Sequence, residues 1–400
     1  MKVSLQDIQK AQAIIGSQVK KTEIDRSISA SKLAGSDVYY KFENTQLTGS
    51  FKIRGALNKI SQLTSEEKAK GVVASSAGNH AQGVALSANK AGVKATIVMP
   101  VHAPLVKIQA TKDYGAEVIL HGEIYDEAYE KARSLEKEFS YTFVHPYEDP
   151  LVIAGQGTIG LELHEAIPDL NSVVIPIGGG GMISGIATAL KTLNPKIKIY
   201  GVQSAQTPGM ERLYHHQPLL DARKGIGTIA DGIAIKRPSQ IMYESFISKL
   251  VDDIVTVTDE EIAEAIVFLV ERAKTVVEGS GAAGVAALMH RKLNLGAKSC
   301  VLLSGGNIDL NLISKVIDKG LSRKGRLAEL SVVVDDMPGN LNRLTKEIAE
   351  LGANILQVHH DRASHGLGLR ETRIDFLLET TSLEHVQQIK SALIKAGARI

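Results

Sequence analysis

The fold of this chain is decided by the stretch Ser172-Val173-Val174-Ile175-Pro176-Ile177-Gly178-Gly179-Gly180-Gly181-Met182. The β-branched run predicts a buried strand, and the apolar pattern over 182–192 predicts the helix that follows it. Glycines between a strand and a helix leave backbone N–H groups bare at the helix N-terminus, which suits a phosphate. The alternative is a tight, close-packed turn without a ligand.

Short β-branched runs alternate with longer helical patterns on both sides of this motif. Strands are predicted at 72–74, 94–99, 117–120, 172–177 and 198–203. Helices are predicted to begin at Asn79 and to span 104–114, 124–138 and 182–192. This alternation predicts an α/β fold with parallel sheets covered by helices. Ligands of such folds collect at the carboxyl ends of the strands, where the glycine-rich segments fall.

Lys52 lies in the run Ser-Phe-Lys-Ile-Arg-Gly-Ala, at a predicted helix start after the polar segment 43–49. Backbone N–H groups and the positive end of the helix dipole disfavour the charge of a lysine there, so a neutral, nucleophilic amine is expected. Its partners are 76–80, the four glycines and 304–307. Together they predict a pocket for an aldehyde that carries a phosphate, which is pyridoxal phosphate.

Two polar side chains are candidates for contacts with that cofactor. Asn79 follows Gly78 at a helix start, where its amide could bond a phenolate oxygen while the loop N–H groups hold a carboxylate. An ordinary N-cap is the alternative. Ser304 ends an apolar strand before two glycines, where a hydroxyl could bond a pyridine nitrogen, although a plain strand-end turn is the alternative.

Composition and motif spacing argue against other classes of function. The 46 basic and 44 acidic residues leave a net charge of +2, and aromatic residues make up 4%, so nucleic acid is not expected as a partner. The dinucleotide pattern G-x-G-x-x-G fails at Ser184, and its acidic residue is replaced by Gln203. The pairs 215–216 and 359–360 lack zinc-ligand spacing, and no metal site is predicted.

The ends of the chain give further expectations. The single cysteine, Cys300, lies in an apolar run and is expected in the core. Ser4 and Asp7 predict a capped N-terminal helix rather than a signal segment, so the reducing cytoplasm is the expected location. The segment 318–326 is basic and glycine-punctuated, which predicts a linker. Beyond it, 327–400 changes to a strand–helix–strand–strand–helix order with a short final strand, typical of a small α+β domain.

The ordered motifs resemble those of fold-type II pyridoxal phosphate enzymes and, among them, threonine dehydratases. They are SFKIRGA, SAGNHAQG, PIGGGGMISG, TIADGIA (228–234) and LLSGGNID. The resemblance covers residues 1–320 and implies an architecture like that of the tryptophan synthase β chain. In it a small domain, about 44–146, is inserted in a large domain made of 1–43 and 147–317.

The resemblance also implies roles for individual residues. Lys52 would form the Schiff base, Phe51 would lie beside the cofactor, Asn79 would bond the ring hydroxyl and Ser304 would face the pyridine nitrogen. The cofactor phosphate would be held by the loop residues Gly178, Gly179, Gly180, Gly181 and Met182. The substrate carboxylate would be held by the loop residues Ser76, Ala77, Gly78, Asn79 and His80. Gly232 and Glu278 are expected near the pocket.

An uncharged serine at the ring nitrogen makes the cofactor a weaker electron sink than a carboxylate would, which favours α,β-elimination. The expected reaction is therefore conversion of L-threonine to 2-oxobutanoate and ammonia, and of L-serine to pyruvate, with Lys52 as the base and the cofactor phosphate as the acid. A serine racemase is the alternative, but racemases of this family have a serine where this chain has Ala77. A catalytically lapsed amino-acid sensor is the alternative from another class.

Residues 327–400 resemble an ACT domain through the run 334–341. The resemblance implies an amino-acid effector at the turn before the first helix. Its expected residues are Asp336, Pro338, Gly339, Asn340 and Leu341. Isoleucine or valine is the hypothesis for that effector, with a nucleotide as the alternative. A domain kept only for oligomerisation is the alternative role. A homodimer or homotetramer is expected.

Overall fold

The structure is a computed structural model that describes residues 1–220, 227–363 and 366–400. It divides into two compact units, Met1–Asp309 and Leu310–Ile400. Among the described residues, every helix is too short or too polar to cross a membrane.

The first unit contains the strands β1 (Ile24–Arg26), β2 (Asp37–Lys41), β3 (Val72–Ser75), β4 (Ala95–Met99), β5 (Glu117–Leu120), β6 (Thr142–Phe143), β7 (Ser172–Pro176), β8 (Lys198–Ser204), β9 (Asp253–Val257) and β10 (Lys298–Leu302). They form a six-stranded sheet in the order β1-β2-β10-β7-β8-β9 and a four-stranded sheet in the order β5-β4-β3-β6. All neighbouring strands are parallel except the antiparallel pair β1–β2. The α/β prediction with parallel sheets is confirmed.

The helices of the first unit cover the two sheets. They are α1 (Leu5–Ile15), α2 (Ile28–Ala34), α3 (Lys52–Ser61), α4 (Ser65–Lys70), α5 (Asn79–Lys90), α6 (Leu105–Asp113), α7 (Tyr125–Phe139), α8 (Pro150–Ala166), α9 (Gly181–Leu193), α10 (Gly209–Tyr214), α11 (Gln240–Met242), α12 (Ser248–Leu250), α13 (Asp259–Phe268) and α14 (Gly279–Met289). Short 3-10 turns lie at Glu43–Thr45 and Asp231–Ile233, and π-helical turns at Tyr243–Ile247 and Leu269–Ala273.

Local sequence signals explain where several of these elements begin. Ser4 and Asp7 form the predicted capping box of α1.

The strand β7 is buried along its whole length, as expected for a strand covered by helices on both faces. Cys300 pairs with Val173 in the sheet register and is fully buried, so its predicted place in the core is confirmed. Burial raises the pKa of its thiol to about 12.

The second unit contains α15 (Leu310–Arg323), β11 (Leu327–Asp335), α16 (Asn340–Glu350), β12 (Asn354–Asp361), β13 (Glu371–Glu379) and α17 (Leu383–Lys395). Its strands form an antiparallel sheet in the order β11-β13-β12. Alternate residues of β11 and β13 are buried, which gives the sheet one apolar face. The predicted final strand is reduced to one bridge between Val333 and Arg399.

The segment predicted as a linker, 318–326, differs in the structure. Its first part continues α15 to Arg323, and β11 begins soon after at Leu327. The basic residues and glycines suggested a flexible chain, but apolar residues recur at helical spacing from Leu310 to Leu321. One amphipathic helix therefore occupies most of the segment, and Gly325, with φ 63°, makes the turn into β11.

Candidate active site

A cavity of about 810 Å³ opens in the first unit, at the carboxyl ends of β3, β7 and β10. Parallel strands bring their carboxyl ends to one edge of a sheet, which explains why motifs far apart in sequence meet here. The cavity is lined by every residue predicted for the catalytic pocket: Phe51, Lys52, Ser76, Ala77, Gly78, Asn79, His80, Gly178, Gly179, Gly180, Gly181, Met182, Gly232, Glu278 and Ser304.

Lys52 is the first residue of α3, and its side chain reaches the cavity. Its Nζ donates a hydrogen bond to the Pro146 carbonyl at 3.4 Å and lies 5.2 Å from the centroid of the Phe51 ring. Burial lowers the pKa of the amine to about 8, against a smaller opposing effect of the Glu278 carboxylate. The amine is thus easily deprotonated, as the sequence suggested, and burial is a cause that the local sequence does not contain.

Asn79 is held by two other side chains. Its Nδ2 donates to Glu278 Oε1 at 2.7 Å, and its Oδ1 accepts from Asn307 Nδ2 at 2.8 Å. Asn307 Nδ2 also donates to the Thr48 carbonyl at 2.7 Å. The orientation of the Asn79 amide is therefore fixed by partners from two other segments of the chain, rather than by a local N-cap bond.

Glu278 is a buried carboxyl group at the N-cap position of α14. Burial raises its pKa to about 8, the nearby Asp231 carboxylate adds to the rise, and Lys107 and Asn79 oppose it. Lys107 Nζ and Asp231 Oδ2 form an ion pair at 2.5 Å, and both residues line the cavity. A pKa of about 8 favours the protonated carboxyl group at neutral pH, and Oε1 of that group accepts the hydrogen bond from Asn79.

The four glycines form the predicted turn between β7 and α9. Gly180 has φ 98°, which a residue with a side chain rarely adopts, and it precedes the first turn of α9 without a side-chain cap. The ring of Tyr147 packs against the loop, because a Cβ at Gly179 would lie 2.3 Å from its Cγ. Backbone N–H groups at the start of α9 are thus left for an anion.

Three buried polar atoms, each on a residue that lines this cavity, have no hydrogen-bond partner among the described residues. They are Ser75 Oγ, Ser280 Oγ and His80 Nδ1. His80 Nε2 lies 2.8 Å from the Val144 carbonyl, so it carries the proton and leaves Nδ1 as an acceptor. Burial lowers the pKa of His80 to about 3, and nearby Lys52 adds to the fall. Buried polar atoms normally have partners, so these three indicate a polar ligand.

Several residues of the cavity were not singled out as site residues from the sequence. Asp231 lies inside the motif 228–234 that the sequence did show, so its neighbours could have indicated it. Tyr147, Pro146 and Lys107 lie outside every motif. Pro146 and Tyr147 follow β6 and Lys107 belongs to α6, so only the tertiary structure brings these three residues to the cavity.

The residues expected to bind an effector lie in the second unit. Asp336, Pro338 and Gly339 belong to the turn between β11 and α16, where Gly339 has φ 93°. Asn340 Nδ2 donates to the Asp335 carbonyl at 2.7 Å and closes this turn. Leu341 follows in the first turn of α16 and is partly exposed.

Comparisons with known proteins agree with this geometry. The chain matches the family described as pyridoxal-phosphate dependent enzyme over residues 15–305. It is 48% identical to the L-threonine ammonia-lyase of Thermotoga maritima, over 100% of this chain and 99% of the relative. Maize serine racemase superimposes with a TM-score of 0.75 at 33% identity, over 81% of this chain and 99% of the racemase. The processed form of threonine deaminase isoform 2 from Solanum lycopersicum superimposes with a TM-score of 0.73 at 33% identity, over 80% of this chain and 90% of the deaminase.

Proposed function

The chain belongs to the family of pyridoxal-phosphate-dependent enzymes, and on this premise we propose that it converts L-threonine to 2-oxobutanoate and ammonia, and L-serine to pyruvate and ammonia. The observation that carries the proposal is the half-buried Lys52 amine, with a pKa of about 8, in one cavity with a glycine turn that can bind an anion. A full-length relative named L-threonine ammonia-lyase supports the choice of substrate.

The residues of the cavity fit pyridoxal phosphate. The turn 178–181 and the start of α9 offer backbone N–H groups to the phosphate, and the amine of Lys52 suits the aldehyde. Phe51 offers an apolar ring beside the amine, and Ser304 offers an uncharged hydroxyl. The unpartnered Ser280 Oγ and Ser75 Oγ supply further polar atoms that a ligand would satisfy.

When bound, pyridoxal phosphate supplies an aldehyde that links to amines and a ring that withdraws electrons from the α-carbon of the substrate. The chain supplies the rest. N–H groups of the loop 76–80 bind the substrate carboxylate, and the neutral Nζ of Lys52 accepts the α-proton. The Glu278 carboxyl group, with its raised pKa of about 8, holds a proton at neutral pH, and the hydrogen bonds from Asn307 through Asn79 keep that carboxyl group oriented.

A steady-state assay decides between elimination and racemisation. We expect 2-oxobutanoate from L-threonine and pyruvate from L-serine, with D-serine neither consumed nor formed above a few per cent of the elimination rate. Ala77 lines the cavity, and its methyl side chain offers no hydroxyl that could exchange a proton at the second face of the substrate. D-serine formed as fast as pyruvate would support the racemase instead. A protein that forms neither a 2-oxo acid nor D-serine would support the lapsed sensor.

Regulation is the second part of the proposal. We propose that residues 327–400 are an ACT domain that binds an amino acid at the turn 336–341, in a cytoplasmic homodimer or homotetramer. The catalytic part would be a small domain, 44–146, inserted in a large one; the whole four-stranded sheet lies within that range. With isoleucine or valine present at millimolar concentration, we expect a changed KM for L-threonine. If the kinetics with L-threonine are the same with and without each amino acid, the proposed feedback by an amino acid is wrong. If only a nucleotide changes the kinetics, a nucleotide is the effector instead.

The glycine turn gives a prediction for cofactor affinity. Gly179→Ala is expected to weaken binding of pyridoxal phosphate about tenfold or more, because the new Cβ meets the Tyr147 ring at 2.3 Å and the turn must shift. Overpacking of this kind costs roughly 1–3 kcal/mol. Absorbance titration of the apoprotein measures the affinity. The double variant Gly179→Ala/Tyr147→Ala has room for the methyl group and should recover most of the loss relative to Tyr147→Ala. Wild-type affinity in Gly179→Ala would contradict the prediction.

A further inference from the structure

The helix that carries Lys52 begins without the usual cap. Phe51 occupies the N-cap position of α3, with φ −57° and ψ −19°, and no side chain bonds to the first N–H groups of the helix. A capping side chain commonly fixes the first turn of a helix. The first turn of α3 must therefore be fixed by other contacts if the Lys52 amine is to keep a defined position.

Four buried charged side chains lie next to this turn and form what we call the buried ion network: Lys41, Glu43, Arg54 and Glu162. The Arg54 guanidinium binds both carboxylates. Its Nε and Nη2 donate to Glu43 at 2.8 and 2.7 Å, and its Nη1 donates to Glu162 Oε1 at 2.6 Å. Lys41 Nζ donates to Glu162 Oε2 at 2.5 Å. None of the four side chains is more than 4% exposed.

The network connects three parts of the first unit to the first turn of α3. Lys41 ends β2, Glu43 lies in the 3-10 turn that follows, and Glu162 belongs to α8. Arg54 is only two residues beyond Lys52, within the same helical turn. A movement of that turn would therefore pull the guanidinium away from two carboxylates at once.

The backbone around Lys52 is also packed closely. A Cβ at Gly155 of α8 would lie 2.5 Å from the Arg54 carbonyl oxygen, so α8 and α3 are in main-chain contact. On the other side, a Cβ at Gly83 of α5 would lie 3.1 Å from the Lys52 carbonyl carbon. The main chain from Lys52 to Arg54 thus lies against both α5 and α8, and the buried ion network holds the same turn through the Arg54 side chain.

A contribution to the free energy of unfolding does not by itself explain why these four charged side chains are buried together. Burial raises the pKa of Glu43, and the Arg54 guanidinium more than reverses that rise, so the charged forms persist inside the protein. Buried ion pairs often contribute no more to stability than well-packed apolar side chains of similar volume. Their fixed, directional hydrogen bonds specify position, which apolar packing does less sharply.

We propose that Arg54, held by Glu43 and Glu162, is a positioning residue that orients the first turn of α3 so that the Lys52 amine faces the cavity. This inference rests on the proposed role of Lys52. It extends that role to a group that touches neither the cavity nor the substrate, since Arg54 is fully buried and absent from the lining residues.

The test is a charge-balanced double variant, Arg54→Met/Glu162→Met. It removes one cation and one anion and leaves Lys41 and Glu43, which are 3.9 Å apart, as a pair. We expect a Tm within about 3 °C of wild type. We expect kcat for L-threonine to fall about tenfold to a hundredfold while KM changes less than about threefold, because the amine is displaced from the reacting atoms.

A second readout follows Lys52 directly. Pyridoxal phosphate is added to the apoprotein, the bond to Lys52 is reduced with borohydride, and the labelled peptide is quantified over time. Labelling is expected to be about tenfold or more slower in the double variant. Lys59→Met is the matched control, because Lys59 lies in the same helix and pairs with Asp149 at 2.9 Å, outside the network. It should label and turn over at the wild-type rate.

Three outcomes would overturn the proposal. The first is a double variant with wild-type kcat and labelling rate. The second is a loss of activity that returns when the assay is cooled below the melting transition, which would assign the network to stability. The third is an equal loss in Lys59→Met. If the double variant does not fold, Arg54→Lys is assayed in its place, because lysine keeps the positive charge but lacks the planar guanidinium group that binds both carboxylates. A wild-type protein that labels at Lys52 but leaves threonine intact would contradict only the proposed function.

Discussion

Replacing Lys52 by alanine is expected to lower the rate of ammonia release from L-threonine by at least about 10⁴-fold, because the same side chain is the nucleophile for the cofactor and the base for the α-proton. Lys52 is the first residue of α3, and its half-buried amine donates to the Pro146 carbonyl and has a pKa of about 8. An alanine there supplies neither function. The cavity otherwise keeps its lining, so the folded structure should persist.

Three measurements check this expectation. Coupled detection of 2-oxobutanoate gives the rate, absorbance in the visible range reports the bond between the cofactor and the protein, and thermal unfolding reports the fold. Lys59→Ala is the matched control on the same helix, and it should keep both the absorbance and the activity. A Lys52→Ala protein that retains more than about 1% of the wild-type kcat would contradict the assignment of the base.

Glu278→Gln is expected to make the apoprotein more stable than wild type, by an amount that grows with pH. The pKa of Glu278 is raised from 4.5 to about 8, mainly by burial. Between these values the unfolded chain has lost the proton and the folded chain still holds it, so wild-type stability falls as pH rises. Glutamine does not titrate. The difference in free energy of unfolding should therefore increase from about pH 4.5 to about pH 8 and level off above.

The slope of that difference is bounded at about 1.4 kcal/mol per pH unit for a single proton. Urea unfolding of both apoproteins at several pH values gives the difference directly. Glu165→Gln is the control, because Glu165 is an exposed carboxylate paired with Lys21, and such pairs contribute little to stability. A difference between Glu278→Gln and wild type that does not change with pH would show that this carboxyl group is not held protonated in the folded protein.

Much of the fold followed from local patterns in the chain. The strand–helix alternation from 72 to 203 predicted parallel sheets, and the structure has them. The linker prediction was less successful, because composition outweighed periodicity: Lys and Gly residues suggested a loop where an amphipathic helix runs to Arg323. A basic face of a helix and a basic linker have the same composition, and only the spacing of the apolar residues distinguishes them.

The members of the candidate site could be predicted from sequence more readily than their electrostatics. Lys52 was expected to be easily deprotonated because of the helix start, and in the structure burial lowers the pKa of its amine to about 8. Burial depends on what other segments place around an amine, which no local motif contains. The same holds for Glu278, whose pKa is raised mainly by burial and further by Asp231, 47 positions away along the printed sequence.

The sequence by itself determined the chemical groups of this protein and their order: a lysine at a helix start, a glycine turn after a buried strand, and an asparagine and a serine at the ends of others. These are properties of local backbone and residue type, which neighbouring positions specify. Only the tertiary structure decided that the pKa values of the Lys52 amine and the Glu278 carboxyl group are shifted. It also decided that Tyr147 packs on Gly179 and that Arg54 binds two carboxylates. Desolvation and hydrogen-bond geometry depend on distances between segments that folding alone brings together.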